Sequence, residues 1–262
     1  MKKLSTLAIM GLFTMSVMAQ TNPTKLYLLF EFMQVNDEHG SDYMKVEDFW
    51  SGIHKQRIAD KQIIGWDLWS LTPAGTKQGS QFVTVTVFSG LKDMLQPGGF
   101  DDLVATAKKA YPKMTEKEIN DMLNLTTPSR DIANQVYLEQ VDKTKGDFKM
   151  KIGTMATFDI MKQLDDSYEK SESEIFKPWH QKWVDAGKVG SWQLLRNILP
   201  AGSEAYGTHV TVSMFKDAAQ LAAYMEAPMD DIDFITQSAV KTGFASREWK
   251  EKKIATLIKM VR

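Results

Sequence analysis

The chain has no cysteine, which excludes disulfides, thiolate metal sites and a lipid-modified cysteine at once. Only four histidines in 262 residues remain as nitrogen ligands. Neither sign of charge dominates: 32 Lys and Arg stand against 33 Asp and Glu, so there is no basic footprint for nucleic acid. Beyond the first residues no apolar run is long enough to cross a bilayer. Also missing are a phosphate-binding loop, a G-x-G-x-x-G entering a helix, H-E-x-x-H and G-x-S-x-G. The acidic stretch "DDID" (230–233) lacks the spacing of a calcium loop and reads as a helix start. These absences argue against a hydrolase, a metalloenzyme and a nucleic-acid binder.

What is present begins with an export pattern. Lys2 and Lys3 precede a mostly apolar run from Leu4 to Val17, and Val17-Met18-Ala19 has the small-residue pattern of a cleavage site before Gln20. Residues 1–19 therefore read as a signal peptide, predicting a soluble periplasmic or extracellular protein. Hydrophobic residues make up 43% of the chain and charged residues 25%, the composition of a globular protein. Stability has to come from buried apolar area, and the chain is long enough to supply it.

An internal repeat organises the rest. At a shift of 126 positions His54 meets His180, Trp66 meets Trp192 and Leu68 meets Leu194. At 127, Pro73-Ala74-Gly75 meets Pro200-Ala201-Gly202, and "FVTVTVF" (82–88) meets "HVTVSMF" (209–215). A further match of Ser129-Arg130 to Ser246-Arg247 requires a shift of 117 and rests on two residues. Each half reads as β-α-β-β-α-β, with the polar "DKTKGD" (142–147) between them. The predicted division is a first repeat over 20–144 and a second over 145–262. The fold class is α+β: a tandem duplication of a ferredoxin-like βαββαβ unit packed sheet to sheet as a pseudo-dimeric barrel. Runs such as "LYLLFEF", apolar on both alternating faces, support sheets covered on both sides.

On this repeat and topology the chain resembles the dimeric α+β barrel superfamily, with both halves fused. "WVDAGKVGSW" followed by a hairpin and "THVTVSMF" also resembles its NIPSNAP branch. The resemblance implies a range of activities, from cofactor-free monooxygenases to heme-degrading and heme-peroxidase-like enzymes. Fold does not choose among them. No cofactor is indicated by a motif, and heme enters by resemblance only.

The residues themselves point to a pocket. At 100° per residue Phe176, Trp179, His180, Trp183 and Val184 share one helix face, as do Trp50, Ile53, His54, Arg57 and Ile58 in the matching helix. A histidine inside an apolar stripe is either a packing spacer or a group bordering a pocket. His54 would then act as general base or acid and Arg57 would hold an anionic group. Arg57 could equally reach solvent or pair with Glu31, Glu47 or Asp60. Gly52 and Pro178 correspond, two residues before each histidine, and predict a bend or restart of the helix. In the third strands, Val83, Val85 and Val87 lie on one face and Thr84 and Thr86 on the other; in the second half Val210 and Val212 oppose His209, Thr211 and Ser213. The valine faces are expected under the helices. The Thr/Ser faces, with Phe82, Phe88, Phe215 and His209, are expected to line the space between the sheets. Trp66 and Trp192 read as core anchors. The function expected is an exported protein binding a small, mostly apolar molecule between the repeats, with His54, Arg57, Thr84, Thr86, His180, His209, Thr211 and Ser213 as site residues. The alternatives are a cofactor-independent or heme-dependent oxidoreductase in the same pocket, or a structural protein whose barrel is filled by side chains. Self-association is not indicated.

Overall fold

Alternating apolar side chains form strands at "FVTVTVF" and "HVTVSMF" over the very residues the pattern predicts. The computed structural model describes residues 25–75, 77–96, 100–228 and 232–262. The expected signal segment and the first two residues of "DDID" lie outside the described residues. Strand β1 (Tyr27–Val35) leads to helix α1 (Gly40–Ala59), then to strands β2 (Gly65–Thr72) and β3 (Phe82–Phe88). Helices α2 (Leu91–Leu95), α3 (Phe100–Ala110), α4 (Glu116–Asn124) and α5 (Thr126–Ser129) follow, ending in strand β4 (Arg130–Lys143). The order then recurs. β5 (Met155–Gln163) is followed by α6 (Tyr168–Ser171), a π-helical turn (Glu172–Phe176), α7 (Lys177–Asp185), β6 (Ser191–Leu199) and β7 (His209–Phe215). Helices α8 (Ala218–Met225) and α9 (Phe234–Ala245) then lead to β8 (Arg247–Val261).

The eight strands are antiparallel to their neighbours and close a barrel in the order β1-β3-β2-β8-β5-β7-β6-β4, with β4 returning to β1. Each βαββαβ stretch supplies four adjacent strands, and the two sets join where β2 meets β8 and β4 meets β6. The two sheets thus face each other and also share edges, which disposes of the open edges that two separate sheets would carry. Helices cover the outside, where no described helix is long and apolar enough to cross a membrane.

Local signals place the helices well. Thr115 caps α4 and exchanges hydrogen bonds with Glu118 in a capping box. Asp233, the last residue of "DDID", caps α9 by accepting from the N–H groups of Ile235 and Thr236. The helix with Pro178 runs on without a break: the π-turn ends at Phe176 and Pro178 follows in the first turn of α7. Gly52 acts differently. A Cβ there would collide with the Tyr111 hydroxyl, which donates to the Phe49 carbonyl at 3.0 Å, so the glycine lets the end of α3 pack against α1.

One expectation is reversed. The barrel interior is filled by Val83, Val85, Val210 and Val212, together with Phe30 and Phe158 and their neighbours. Thr84, Thr86, Thr211 and Ser213 are buried on the opposite, outer face, beneath the helices. Phe88 and Phe215 also lie outside the interior, in clusters with Met94 and with Leu221 respectively. The alternation holds, but its direction is the reverse of the one expected. The inside of an eight-stranded barrel is narrow, with room for packed side chains or one small ligand, and compact β-branched valines fill much of it. The hydroxyls share the outer face with charged groups that need partners.

Candidate functional site

The outer face of the first half gathers several of the sequence-predicted residues. His54 is buried and stacks on Trp66, with ring centroids 4.9 Å apart and planes 19° apart; Trp50 lies 5.7 Å away in a similar orientation. Arg57 Nη1 lies 3.3 Å from His54 Nδ1. A guanidinium can only donate, so Nδ1 is the acceptor and the ring proton sits on Nε2. Burial, and then the Arg57 charge, hold the His54 imidazole well below its usual range. His54 is therefore a neutral ring with its basic nitrogen already occupied. Burial also lowers Arg57, while the Glu31 charge on β1 opposes that shift. Glu31 accepts from the Thr84 hydroxyl at 3.3 Å and from Gln135 at 2.8 Å. Of the partners considered for Arg57, Asp60 is taken by Gln56 and Lys109, and Glu47 by Arg130.

In the second half His180 repeats the stack, on Trp192 at 5.0 Å and 11°. Where Arg57 stands in the first half, Trp183 turns its edge to His180 at 5.3 Å. His180 Nδ1 is buried without a hydrogen-bond partner, and burial pulls the ring down to about 4. Both tryptophans are 1% exposed, as expected of core anchors. His209 is held at both nitrogens: Nδ1 lies 2.9 Å from Thr208 Oγ1 and Nε2 lies 2.9 Å from Glu169 Oε1. A carboxylate accepts, so Nε2 carries the proton. Glu169 also receives Arg196, which pairs with Glu139, itself paired with Lys25.

Two buried ion pairs tie each first helix to its last strand. Arg130 Nε donates to Glu47 at 3.0 Å, and Arg247 pairs with Glu172. Both glutamates are 1% exposed. Burial outweighs the arginine and pushes Glu47 up to about 7. The serines before the arginines are fully buried, and each bonds a carbonyl three residues earlier. The two-residue match at a shift of 117 thus joins equivalent places. The glutamates are 125 positions apart and the histidines 126; the π-turn between Glu172 and His180 takes up the additional residue.

The space inside the barrel lies elsewhere. At one end the packing leaves a cavity of about 340 Å³, walled by Leu28, Phe30, Trp69, Val85, Phe158 and Val212. Its polar lining consists of Asp67, Gln193 and Arg262. Arg262 Nη2 donates to Asp67 Oδ2 at 2.9 Å, with Nη1 2.8 Å from Oδ1. Burial raises Asp67 and the Arg262 pair opposes the rise. Gly65 leaves room for that arginine, since a Cβ there would fall 2.7 Å from its Nη1. The exposed Ile64, with the 40% exposed side chain of Arg262, marks the mouth.

None of His54, Arg57, Thr84, Thr86, His180, His209, Thr211 and Ser213 lines this cavity. The structure separates what the sequence reading put in one pocket: these residues lie on the outer face of the sheets or on the helices covering it. Asp67 and Arg262 were missed. A signal for Asp67 was present, since it is a carboxylate set between two tryptophans in the apolar strand "GWDLWSLT".

Heme does not fit the residues available. No histidine lines the cavity, both His209 nitrogens are engaged, His54 Nδ1 accepts from Arg57, and the His180 ring lies against Trp192. Among the described residues no cluster of three or more His, Asp or Glu is arranged to hold a metal ion.

No protein-family model matches this chain, and no curated protein is similar to it in sequence. Solved structures are similar in fold. A candidate monooxygenase from Fusobacterium nucleatum superposes with a TM-score of 0.57 at 8% identity, over 91% of this chain and 94% of the other. An anthrone oxidase-like protein gives 0.52 at 11% identity, covering 91% and 93%. A candidate chlorite dismutase gives 0.51 at 9%, covering 90% and 96%. What these proteins share with the chain is the fold, an antiparallel α+β barrel.

Proposed function

We propose that this is an exported protein of two ferredoxin-like repeats, 20–144 and 145–262, which binds one small, mostly apolar molecule in the open end of its barrel. The observation that carries the reading is the cavity of about 340 Å³, apolar on most sides and furnished with three polar side chains. That size and lining suit a small-molecule site. Most of the remaining interior is packed with side chains, which confines a ligand to this end. The test is to fill the space. Val85→Phe and Val212→Phe should each weaken binding of an apolar fluorescent dye such as 1-aminoanthracene at least tenfold, with the circular dichroism spectrum unchanged. Dye binding that survives both substitutions sinks the proposal. Solvent extraction of the purified protein and mass spectrometry would then identify what it carries.

A second reading is favoured by the likeness in fold to a candidate monooxygenase and an anthrone oxidase-like protein. In that reading the protein is an oxidoreductase that requires no heme, and Arg57, positioned by its hydrogen bond to His54, holds an anionic substrate group at the helix–sheet layer. Oxygen uptake with hydroxylated aromatic compounds, lost in His54→Phe and Arg57→Met, would support it. Absence of uptake, or uptake indifferent to both changes, removes it.

A further inference from the structure

We infer that the barrel-end cavity selects a neutral ligand with a hydrogen-bond acceptor, such as a ketone, at the end facing Arg262 and Gln193. This rests on the cavity reading above and sharpens it. The mouth is already charge-balanced, because the Asp67 carboxylate and the Arg262 guanidinium meet there and no other charged side chain lines the space. A carboxylate ligand would have to displace or crowd the buried Asp67, and an ammonium would have to lie beside Arg262; each adds an unmatched charge to a pair whose carboxylate is already out of water. A neutral group disturbs neither.

The spare hydrogen-bonding capacity is on the donor side. Arg262 hydrogen-bonds Asp67 and the Val261 carbonyl, leaving N–H groups unspent of the five a guanidinium carries. The Gln193 carbonyl oxygen is taken by the Gln140 amide at 2.6 Å, so its own NH₂ remains to donate. Two donors at the rim and apolar walls below call for an acceptor at one end of an otherwise apolar body. At about 30 Å³ per water-sized unit of volume, the cavity holds on the order of eleven such units. That is room for a molecule of about a dozen non-hydrogen atoms.

The test uses four compounds of one shape: 2-acetylnaphthalene, its apolar isostere 2-isopropylnaphthalene, 2-naphthoate and 2-naphthylmethylamine. Affinities are measured by isothermal titration on the full mature chain. The ketone should bind at least tenfold more tightly than either charged compound. Arg262→Met and Gln193→Leu should each weaken the ketone about three- to tenfold, as expected for one lost hydrogen bond, and leave the isopropyl compound within twofold. Tightest binding by the naphthoate or the amine overturns the inference, as do variants that move ketone and isostere together; the cavity reading then still stands. If neither neutral compound binds, the cavity reading itself falls. Gln193→Leu leaves the Asp67–Arg262 pair intact, so it remains informative should Arg262→Met fold poorly.

Discussion

In the first half of the molecule His54 accepts a hydrogen bond from Arg57; at the matching place in the second half Trp183 packs edge-on to His180, whose Nδ1 is buried without a partner. Around this difference the scaffold repeats. Each histidine stacks on the tryptophan of the strand beneath it, and each first helix is pinned to the last strand of its half by a buried Glu–Arg pair. The comparison separates support from specialisation. What recurs is what holds a helix onto a sheet. What differs is the polar chemistry beside the histidine, and at the barrel end the difference is between Asp67 and Gln193, each directly after the stacking tryptophan.

The largest effect should come from breaking the shared part. Arg130→Ala and Arg247→Ala each leave a glutamate buried without its counter-charge, which costs about 3–5 kcal/mol. Arg247→Ala should be the worse of the two, because Arg247 also lies over the rings of Phe176 and Phe244, 4.3 and 5.0 Å from their centroids. Urea unfolding at pH 8 measures both losses. They should shrink at pH 5, where the stranded glutamate can take a proton. Equal losses at both pH values would show that packing, not charge, is what the arginines supply.

Substituting the histidines tests the part that differs. His54→Phe keeps the stack on Trp66 but leaves the Arg57 N–H without its acceptor, at a cost of about 1–3 kcal/mol. His180→Phe removes a ring nitrogen that has no partner, so stability should change by less than about 1 kcal/mol. If both variants lose the same amount, the Arg57–His54 contact contributes nothing and the two layers are equivalent.

The strands β3 and β7 were legible because they depend on period. The 127-position match fixed β3 and β7 without any knowledge of their neighbours. Which face of those strands turns inward was not legible. Thr84 differs from Val85 in what meets it across space: Glu31 on one side, Phe30 and Asp67 beside the other. Those partners lie far away in the sequence. The Glu–Arg pairs were hidden for a related reason. Their members recur at different offsets, 125 for the glutamates and 117 for the arginines, because a π-turn lengthens one helix and the region between β3 and β4 is longer than its counterpart. The cavity's Asp67–Arg262 pair joins residues 195 positions apart, beyond the reach of any local pattern.

Acid titration sets the two kinds of buried group against each other. A histidine held at about 4 in the folded state and near 6.5 when unfolded binds fewer protons folded than unfolded between those values. Stability from His180 is thus complete above about pH 6.5 and lost as the pH falls toward 4, by about 3 kcal/mol. Glu47, raised to about 7, works in the opposite sense: stability falls as pH rises from about 4.5 to 7. The His180→Phe variant should therefore show a shallower acid-side decline between pH 6.5 and 4 than the parent, His54 and His209 supplying the rest. A parent and variant with parallel stability curves over that range would mean that His180 titrates as it does in water.

A further modest effect concerns a helix that the second half lacks at this position. Between β3 and β4 the first half inserts α4, whose Thr115–Glu118 capping box satisfies two N–H groups of its first turn. Thr115→Ala should cost about 1 kcal/mol. Helix α4 packs Ile119 and Leu123 against the α1 residues Phe49 and Ile53, one turn from His54. If α4 serves only to cover that end of α1, the loss will appear in unfolding experiments and leave ligand affinity at the barrel end unchanged within twofold. A change in affinity there would mean that the outer layer and the cavity communicate through β2, the strand that carries both Trp66 beneath His54 and Asp67 at the cavity mouth.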